Sequence, residues 1–299
     1  MADIVIIGAG TAGLSAAIYA LRAGKSVLIL EQLAYGGQII NTPEVENYPG
    51  IKSISGFDFA QGLYEQAVAL GAELKFEQVT GIEDGPVKKV KTSGAEYECG
   101  AIILATGAKN RPLGLDREQQ LIGSGISYCA TCDGAFFKGR AVAVNGGGNT
   151  ALEDALFLSN YCSKVYLIHR RDEFRGEAKQ VEKLKAKENI EFVLNSTITE
   201  LVGDDELSGV KVHDKVSGED KLIEVDGLFI AIGQMPENAA FAPLIALDGA
   251  GYIVAGEDCK TNVEGIFAAG DCRTKTVRQL TTAAADGAVA ALAACAYID

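Results

Sequence analysis

The stretch Ile4-Val5-Ile6-Ile7-Gly8-Ala9-Gly10-Thr11-Ala12-Gly13 decides the fold. Four consecutive β-branched residues read as a strand buried on both faces, since a strand with one wet face would alternate. The glycines that follow stand in G-x-G-x-x-G register, and the amphipathic run over 14–23 predicts a helix. In such a turn the first glycine permits the tight bend and the second lets backbone approach a pyrophosphate. The third lets helix and strand pack closely, and the helix N-terminus then holds the phosphates. A lone fingerprint is weak, because a strand can stop at a Gly-rich turn for no further reason.

Here the unit recurs. Residues 4–31 and 142–169 read as the same strand-turn-helix-strand pattern displaced by 138 residues, with Gly8 answering to Gly146. The second copy, Val142-Ala143-Val144-Asn145-Gly146-Gly147-Gly148-Asn149-Thr150-Ala151, places Gly146, Gly148 and Ala151 in the same register. Each copy's second strand ends where a ribose is read, and there the chemistry is opposite. Glu31 offers a carboxylate to free ribose hydroxyls, whereas His169-Arg170-Arg171, with Arg175 nearby, offers charge-assisted forks to a 2′-phosphate. The first copy therefore reads as an FAD site and the second as an NADPH site; the alternative for the arginines is a solvated basic loop.

Two later segments support the first assignment. Residues 101–108, Ala-Ile-Ile-Leu-Ala-Thr-Gly-Ala, form an apolar strand ending in small residues at Thr106 and Gly107, as needed where backbone passes close to a nucleotide. Residues 265–271 end a second such strand at Asp271, a carboxylate that needs a partner if buried, such as a flavin ribityl hydroxyl. The pattern predicts an α/β protein of two Rossmann-like dinucleotide-binding domains of three-layer type, the second inserted into the first. The FAD domain is expected over 1–113 and 245–299, and the NADPH domain, carrying the C-x-x-C, over 114–244. Pro- and Gly-bearing segments at 109–117 and 233–239 mark the crossings.

Bulk properties agree. A chain of 299 residues suits two domains of roughly 100–200 residues each, and 48% hydrophobic against 22% charged residues sustains packed cores. The formal charge of −13, without long single-sign blocks, argues against nucleic acid or an anionic membrane surface as the main partner. No apolar run is expected to reach the roughly 18–20 residues that span a bilayer. The N-terminus enters a strand without the basic and apolar regions of a secretory signal, so a cytoplasmic protein is expected. Seven scattered cysteines, an odd number, do not resemble a secreted disulfide framework.

Only Cys129 and Cys132 stand close, within Ser-Tyr-Cys-Ala-Thr-Cys-Asp-Gly at 127–134. C-x-x-C spacing allows a disulfide that opens and closes without large chain movement. A structural zinc normally needs four ligands, whereas this chain has no second C-x-x-C and its two histidines, His169 and His213, lie far along it; no metal is expected. A buried structural pair is the other alternative, and two dinucleotide turns on one chain favour redox work over it. Thiol exchange needs an attacking thiolate and a stabilised leaving sulfur. Asp133 can supply a proton if its surroundings keep one available; the competing reading makes it the cap of the following turn.

With these residues in place, the chain resembles the low-molecular-weight thioredoxin reductases of the bacterial type over essentially its full length. The resemblance rests on Gly8 to Gly13, Gly36-Gly37-Gln38, Asn47-Tyr48-Pro49-Gly50, Ala105-Thr106-Gly107 and Cys129-Ala130-Thr131-Cys132-Asp133. It extends to Gly146 through Ala151, His169-Arg170-Arg171 with Arg175, Gly270-Asp271 and Arg278-Gln279-Leu280. It implies that Gly37, Gln38, Asn47, Thr106, Gly107, Asp271, Gln279 and Leu280 line the flavin, and that Gly146, Gly148, Asn149, Thr150, His169 and the three arginines hold NADPH. By the same resemblance Cys132 faces the flavin, Cys129 attacks a thioredoxin-like substrate, Asp133 is the acid-base residue, and the protein is a homodimer whose inserted domain rotates between half-reactions. The rival on the same fold is a dithiol oxidase, or a disulfide reductase with another donor or partner. Two departures stand out: Asn145 is polar where the first copy has Ile7, and Ser124 replaces a basic residue common in relatives. Phe136 and Phe137 read either as partner-docking aromatics or as core.

Overall fold

The computed structural model describes residues 1–42 and 44–299. Along the chain run β1 (Ala2–Ile7), α1 (Thr11–Arg22), β2 (Val27–Glu31), α2 (Gly56–Ala69), β3 (Glu73–Phe76), β4 (Val79–Glu83), β5 (Lys88–Thr92), β6 (Glu96–Leu104) and β7 (Ala108–Asn110). Then come α3 (Glu118–Leu121), β8 (Ile126–Ser127), α4 (Ala130–Asp133), β9 (Ala141–Asn145), α5 (Asn149–Leu158), β10 (Lys164–Ile168), α6 (Ala178–Lys185), β11 (Ile190–Val193) and β12 (Ser196–Val202). The chain closes with β13 (Gly209–Asp214), β14 (Asp220–Glu224), β15 (Gly227–Ile230), β16 (Gln234–Pro236), β17 (Ile266–Ala268) and α7 (Leu280–Ile298).

Two compact units result, Met1–Lys109 with Met235–Asp299, and Asn110–Gln234. The crossings thus lie within the segments expected to carry them, 109–117 and 233–239, while the domain bounds fall earlier than 113/114 and 244/245. Residues 235–244 join the first unit because Asn238, only 1% exposed, donates to the carbonyls of Gly251 and Cys272 at 2.9 Å each. Phe241 then packs with Ile245 and Ile253.

In the first unit the strand order is β3-β2-β1-β6-β5-β4, with β17 also on β6. The nine-residue β6 has β1 along one side and two strands along the other, antiparallel to β5 over its first half and parallel to β17 over Ile102 to Leu104. Successive side chains of β1 enter opposite layers. Ile4 and Ile6 pack with Leu14 and Ile18 of α1 and Ala290 and Ala294 of α7, while Val5 and Ile7 pack with Phe241 and Ile253. Both faces are covered, which is why this run is apolar throughout rather than alternating.

By length and composition α7 is apolar enough to cross a membrane, which corrects the expectation that no run is that long. The charge of Asp286 within it masks the pattern. In this fold α7 acts as a core helix: Gly287, Ala290, Ala291 and Ala294 are buried, and a Cβ on Gly287 would strike the carbonyl of Ala12 in α1. Small residues therefore set how closely these helices approach.

The second unit has a parallel sheet in the order β11-β10-β9-β15-β8. One face, with Val142, Val144, Val165 and Leu167, is covered by Ala151, Leu152, Ala155 and Leu158 of α5. Its other face carries Ala143, Ile168, Leu228 and Ile230, covered by the antiparallel sheet β12-β13-β14 through Leu201, Val210, Val212 and Ile223. Both units are three-layered and Rossmann-like, the second inserted into the first, and in the second a β-meander replaces helices as the third layer.

Candidate active site

Register fixes where the turns of the first unit open. Ile7 pairs with Leu30 and Leu104, and Leu104 with Ala268. The turns starting at Gly8, Ala105 and Ala269, and Glu31 beside them, therefore share the carboxyl edge of the sheet, where open α/β sheets bind ligands. Gly8 has φ +107°, and a Cβ there would collide with the carbonyl of Ala105. At Gly13 a Cβ would enter the carbonyl oxygen of Gly8, so this residue sets the closeness of α1 to β1. Gly10 differs: the nearest atom to a Cβ there is Gly37 Cα at 3.9 Å. Packing within the chain does not ask for glycine at that position, whereas approach to a phosphate does.

Glu31 accepts the Ala9 N–H through Oε2 at 2.8 Å and the Leu33 N–H through Oε1 at 3.1 Å, which fixes its carboxylate beside the glycines. Gly37 lies against Gly10, and Gln38 donates to the carbonyl of Ala108. Thr106, next to Gly107, donates through Oγ1 to Asn238 Oδ1 at 2.9 Å. Asn47 donates through Nδ2 to Gln279 Oε1 at 3.3 Å, and Gln279 caps α7, whose first residue is Leu280. Asp271 Oδ1 is buried with no hydrogen-bond partner among the described residues, and burial pushes its carboxyl above the usual range. A buried acceptor of this kind suits a ligand hydroxyl. Helix α1 also starts without a side-chain cap, leaving first-turn N–H groups for an anion.

One residue that sequence reasoning missed organises this loop. Asp286, 6% exposed, accepts the Gly270 N–H at 2.9 Å, Arg273 Nε and Nη2 at 2.8 Å each, and Lys275 Nζ at 2.9 Å. Burial alone would raise its carboxyl, but the hydrogen bonds from Arg273 and Lys275 outweigh it and hold the group below the usual carboxylate value. Its signal was available: a carboxylate inside an otherwise apolar helix must be paired.

In the second unit Asn145, the last residue of β9, pairs with Ile168 and Ile230, so Gly146, His169 and Ala231 leave the sheet at one edge. A Cβ on Gly146 would strike the carbonyl of Ala231, while one on Gly148 meets nothing within 4 Å. Helix α5 begins at Asn149 without a side-chain cap on Gly148. The segment after β10 folds back onto the turn: Arg175 donates its N–H to the Gly147 carbonyl at 2.8 Å, and Asn149 Oδ1 accepts from Glu177 N–H at 2.8 Å. His169 is 5% exposed and stacks on Phe174. Burial lowers its pKa, the hydrogen bond to the Glu173 carbonyl opposes this, and Arg175, Arg170 and Arg171 lower it further. These arginines and Thr150 are exposed.

The dithiol segment leaves the same edge. Ser127 of β8 pairs with Phe229 of β15, the neighbour of β9, so the turn at Gly146 and the segment after Ser127 lie two strands apart, about 10 Å at ordinary strand spacing. Cys129 and Cys132 form a disulfide with Cα atoms 5.3 Å apart. The other five cysteines are buried thiols; burial pushes Cys99 and Cys162 up to about 11 and Cys259 up to about 12, which leaves them inert. Asp133 accepts the Ser127 hydroxyl through Oδ2 at 2.6 Å, while its Oδ1 is buried with no partner among the described residues. Burial raises the Asp133 carboxyl, and the Ser127 bond only partly opposes this. The capping reading fails, since the turn Gly134–Phe137 receives no side-chain cap. Phe136 and Phe137 divide between the two readings: Phe137 packs edge-on against Phe229, and Phe136 is exposed. Among the described residues no group of three or more His, Cys, Asp or Glu side chains is placed to hold a metal.

Comparison with known proteins fits this geometry. Residues 2–287 match the pyridine nucleotide-disulphide oxidoreductase family. The chain is 44% identical over 299 residues to a thioredoxin reductase of Listeria monocytogenes, covering 99% of this chain and 94% of that protein. It is 40% identical over 294 residues to a bifunctional thioredoxin reductase/thioredoxin of Mycobacterium leprae, covering 97% and 64%. The crystal structure of thioredoxin reductase from Streptococcus pyogenes matches with a TM-score of 0.95 at 40% identity, covering 99% and 98%. The chain belongs to the pyridine nucleotide-disulphide oxidoreductase family and, within it, to the bacterial-type low-molecular-weight thioredoxin reductases. Its chemistry is therefore that of a disulfide oxidoreductase working with a flavin and a nicotinamide nucleotide.

Proposed function

We propose that this chain is an NADPH-dependent thioredoxin-disulfide reductase that passes electrons through FAD to Cys129–Cys132 and on to a thioredoxin-like protein. The observation that carries the reading is the disulfide with a buried carboxyl beside it, on the same sheet edge as the second glycine turn. FAD, when bound, supplies the two-electron relay between nicotinamide and disulfide. Gly8, Gly10, Gly13, Glu31, Gly37, Gln38, Asn47, Thr106, Gly107, Asp271, Gln279 and Leu280 hold it in this reading. Gly146, Gly148, Asn149, Thr150, His169, Arg170, Arg171 and Arg175 hold NADPH.

Opening the Cys129–Cys132 bond takes up two electrons and two protons. The Cys129 thiolate then attacks the partner's disulfide, and Cys132 attacks the mixed disulfide to release the second partner thiol and restore the starting bond. Nicotinamide and dithiol are both carried by the inserted unit, and each must come within about 3–3.5 Å of the same flavin, so the cycle requires that unit to turn between half-reactions. A homodimer is the assembly that the family resemblance implies; a monomer by sedimentation velocity at micromolar concentration would remove that part. Five buried thiols suit a reducing, cytoplasmic setting.

Anaerobic titration tests the reading. One equivalent of NADPH should bleach the flavin more readily than NADH, and added thioredoxin disulfide should be reduced; a preference for NADH, or a reduced enzyme that leaves thioredoxin oxidised, would overturn it. Replacing Arg170 and Arg171 together by Ala should raise KM for NADPH roughly 10- to 100-fold, the effect of losing charge-assisted bonds of about 1.5–3 kcal/mol. The KM for NADH should hardly move, since its free 2′-hydroxyl makes no such bond.

A further inference from the structure

We infer that Ser127 is a positioning residue for the dithiol chemistry: its hydroxyl holds Asp133 through Oδ2 so that Oδ1 is the oxygen that carries the exchanged proton. The inference rests on the reading of Asp133 as the acid-base group. Ser127 ends β8, is 4% exposed, and is tied to both halves of the redox segment. It donates to Asp133 Oδ2 at 2.6 Å and accepts the Cys129 N–H at 3.0 Å. A hydroxyl has a single proton to donate. Its other acceptor here, the Cys129 carbonyl, lies at 3.4 Å, too far to compete with a contact at 2.6 Å.

Oδ2 is therefore occupied as an acceptor, and a proton on the carboxyl belongs on Oδ1, which is buried with no partner among the described residues. The same hydroxyl anchors the backbone of Cys129, whose carbonyl in turn accepts the N–H of Cys132 at 3.2 Å and of Asp133 at 3.1 Å. One side chain thus registers the acid against the nucleophile's backbone. In the exchange step the Cys129 thiolate forms a bond to one partner sulfur, the partner's S–S bond breaks, and the departing sulfur takes the proton held at Asp133 Oδ1. Closure of Cys129–Cys132 then releases the second partner thiol, so one dithiol and one disulfide have traded places.

Single-turnover reduction of thioredoxin by prereduced enzyme, followed against pH, provides the test. The wild-type rate should fall as pH rises through the Asp133 pKa, because the proton donor is lost. Ser127→Ala removes a bond that favours the ionised carboxylate, so its limb should move upward by about one to two pH units, with a plateau about tenfold slower. Ser127→Thr, which keeps the hydroxyl, should restore both. A structural role alone would slow the step at every pH and leave the limb in place; that result, or a displaced limb in Ser127→Thr, overturns the inference. Asp133→Asn separates the two ideas: it should abolish the limb and slow the step roughly 10²- to 10⁴-fold. If Asp133→Asn keeps the wild-type rate and limb, the acid-base reading itself is wrong.

Discussion

Asp286→Ala should destabilise the first unit by about 3–5 kcal/mol, the usual cost of removing one partner from a buried ion pair. The reason lies in what would remain. Arg273 is 1% exposed and the Lys275 side chain 5%, and both direct their donors at this carboxylate. Without it, two buried cations lose their ion-pair partner, since the other carboxylate in ion-pair range among the described residues, Glu257 at 3.6 Å from Arg273, is 95% exposed. The Gly270 N–H loses its acceptor as well. Because Gly270 precedes Asp271, the variant should also lower flavin content.

Asp286→Asn preserves shape but not charge, and its deficit should depend on pH. The folded-state pKa of Asp286 is depressed, so its charge contributes stability above the ordinary carboxylate pKa of about 4. That contribution is lost as pH falls through the lower folded value. Denaturant unfolding of wild type and Asp286→Asn should therefore show a full gap at pH 7 that narrows below pH 4; a gap independent of pH would mean that Asp286 works by shape alone.

Asp286 also illustrates where reading the sequence stops. Strands at 4–7 and 142–144, both glycine turns and their following helices were legible because each signal is local: an apolar run, a turn residue, a 3.6-residue period. The parallel strands at the heart of each unit followed from the repeat. Long-range pairing left no such local mark. The approach of Asp286 to Arg273 and Lys275 depends on α7 folding back beside β17, and Ser127 lies on a two-residue strand too short to show any period. The meander Ser196–Val202, Gly209–Asp214 and Asp220–Glu224 alternates only weakly, with exposed Glu200 and Leu222 breaking its pattern, so the nature of the third layer stayed hidden. The second domain bound was placed late, at 245 rather than 235, because the polar Asn238 reads as linker, whereas its burial is satisfied by two carbonyls distant in sequence.

The glycines of the first turn are separable by experiment. Gly10→Ala should leave the flavin-free protein as stable as wild type yet weaken flavin binding roughly 100-fold or more, a loss of about 2.7 kcal/mol. Its φ of −78° is open to any residue, and the nearest atom to the new methyl within the chain is 3.9 Å away. Neither strain nor collision therefore explains glycine there; a phosphate against the backbone does. Gly13→Ala should behave in the opposite way, because its methyl would enter the carbonyl oxygen of Gly8 and force α1 away from β1. Overpacking of that kind costs typically 1–3 kcal/mol and should lower the denaturation midpoint before any flavin is added. Thermal melts of stripped protein, paired with flavin titration by fluorescence, distinguish the two. Unchanged flavin affinity in Gly10→Ala would mean that the second glycine does not face the pyrophosphate, and the first turn would then lose its main claim to being the flavin site.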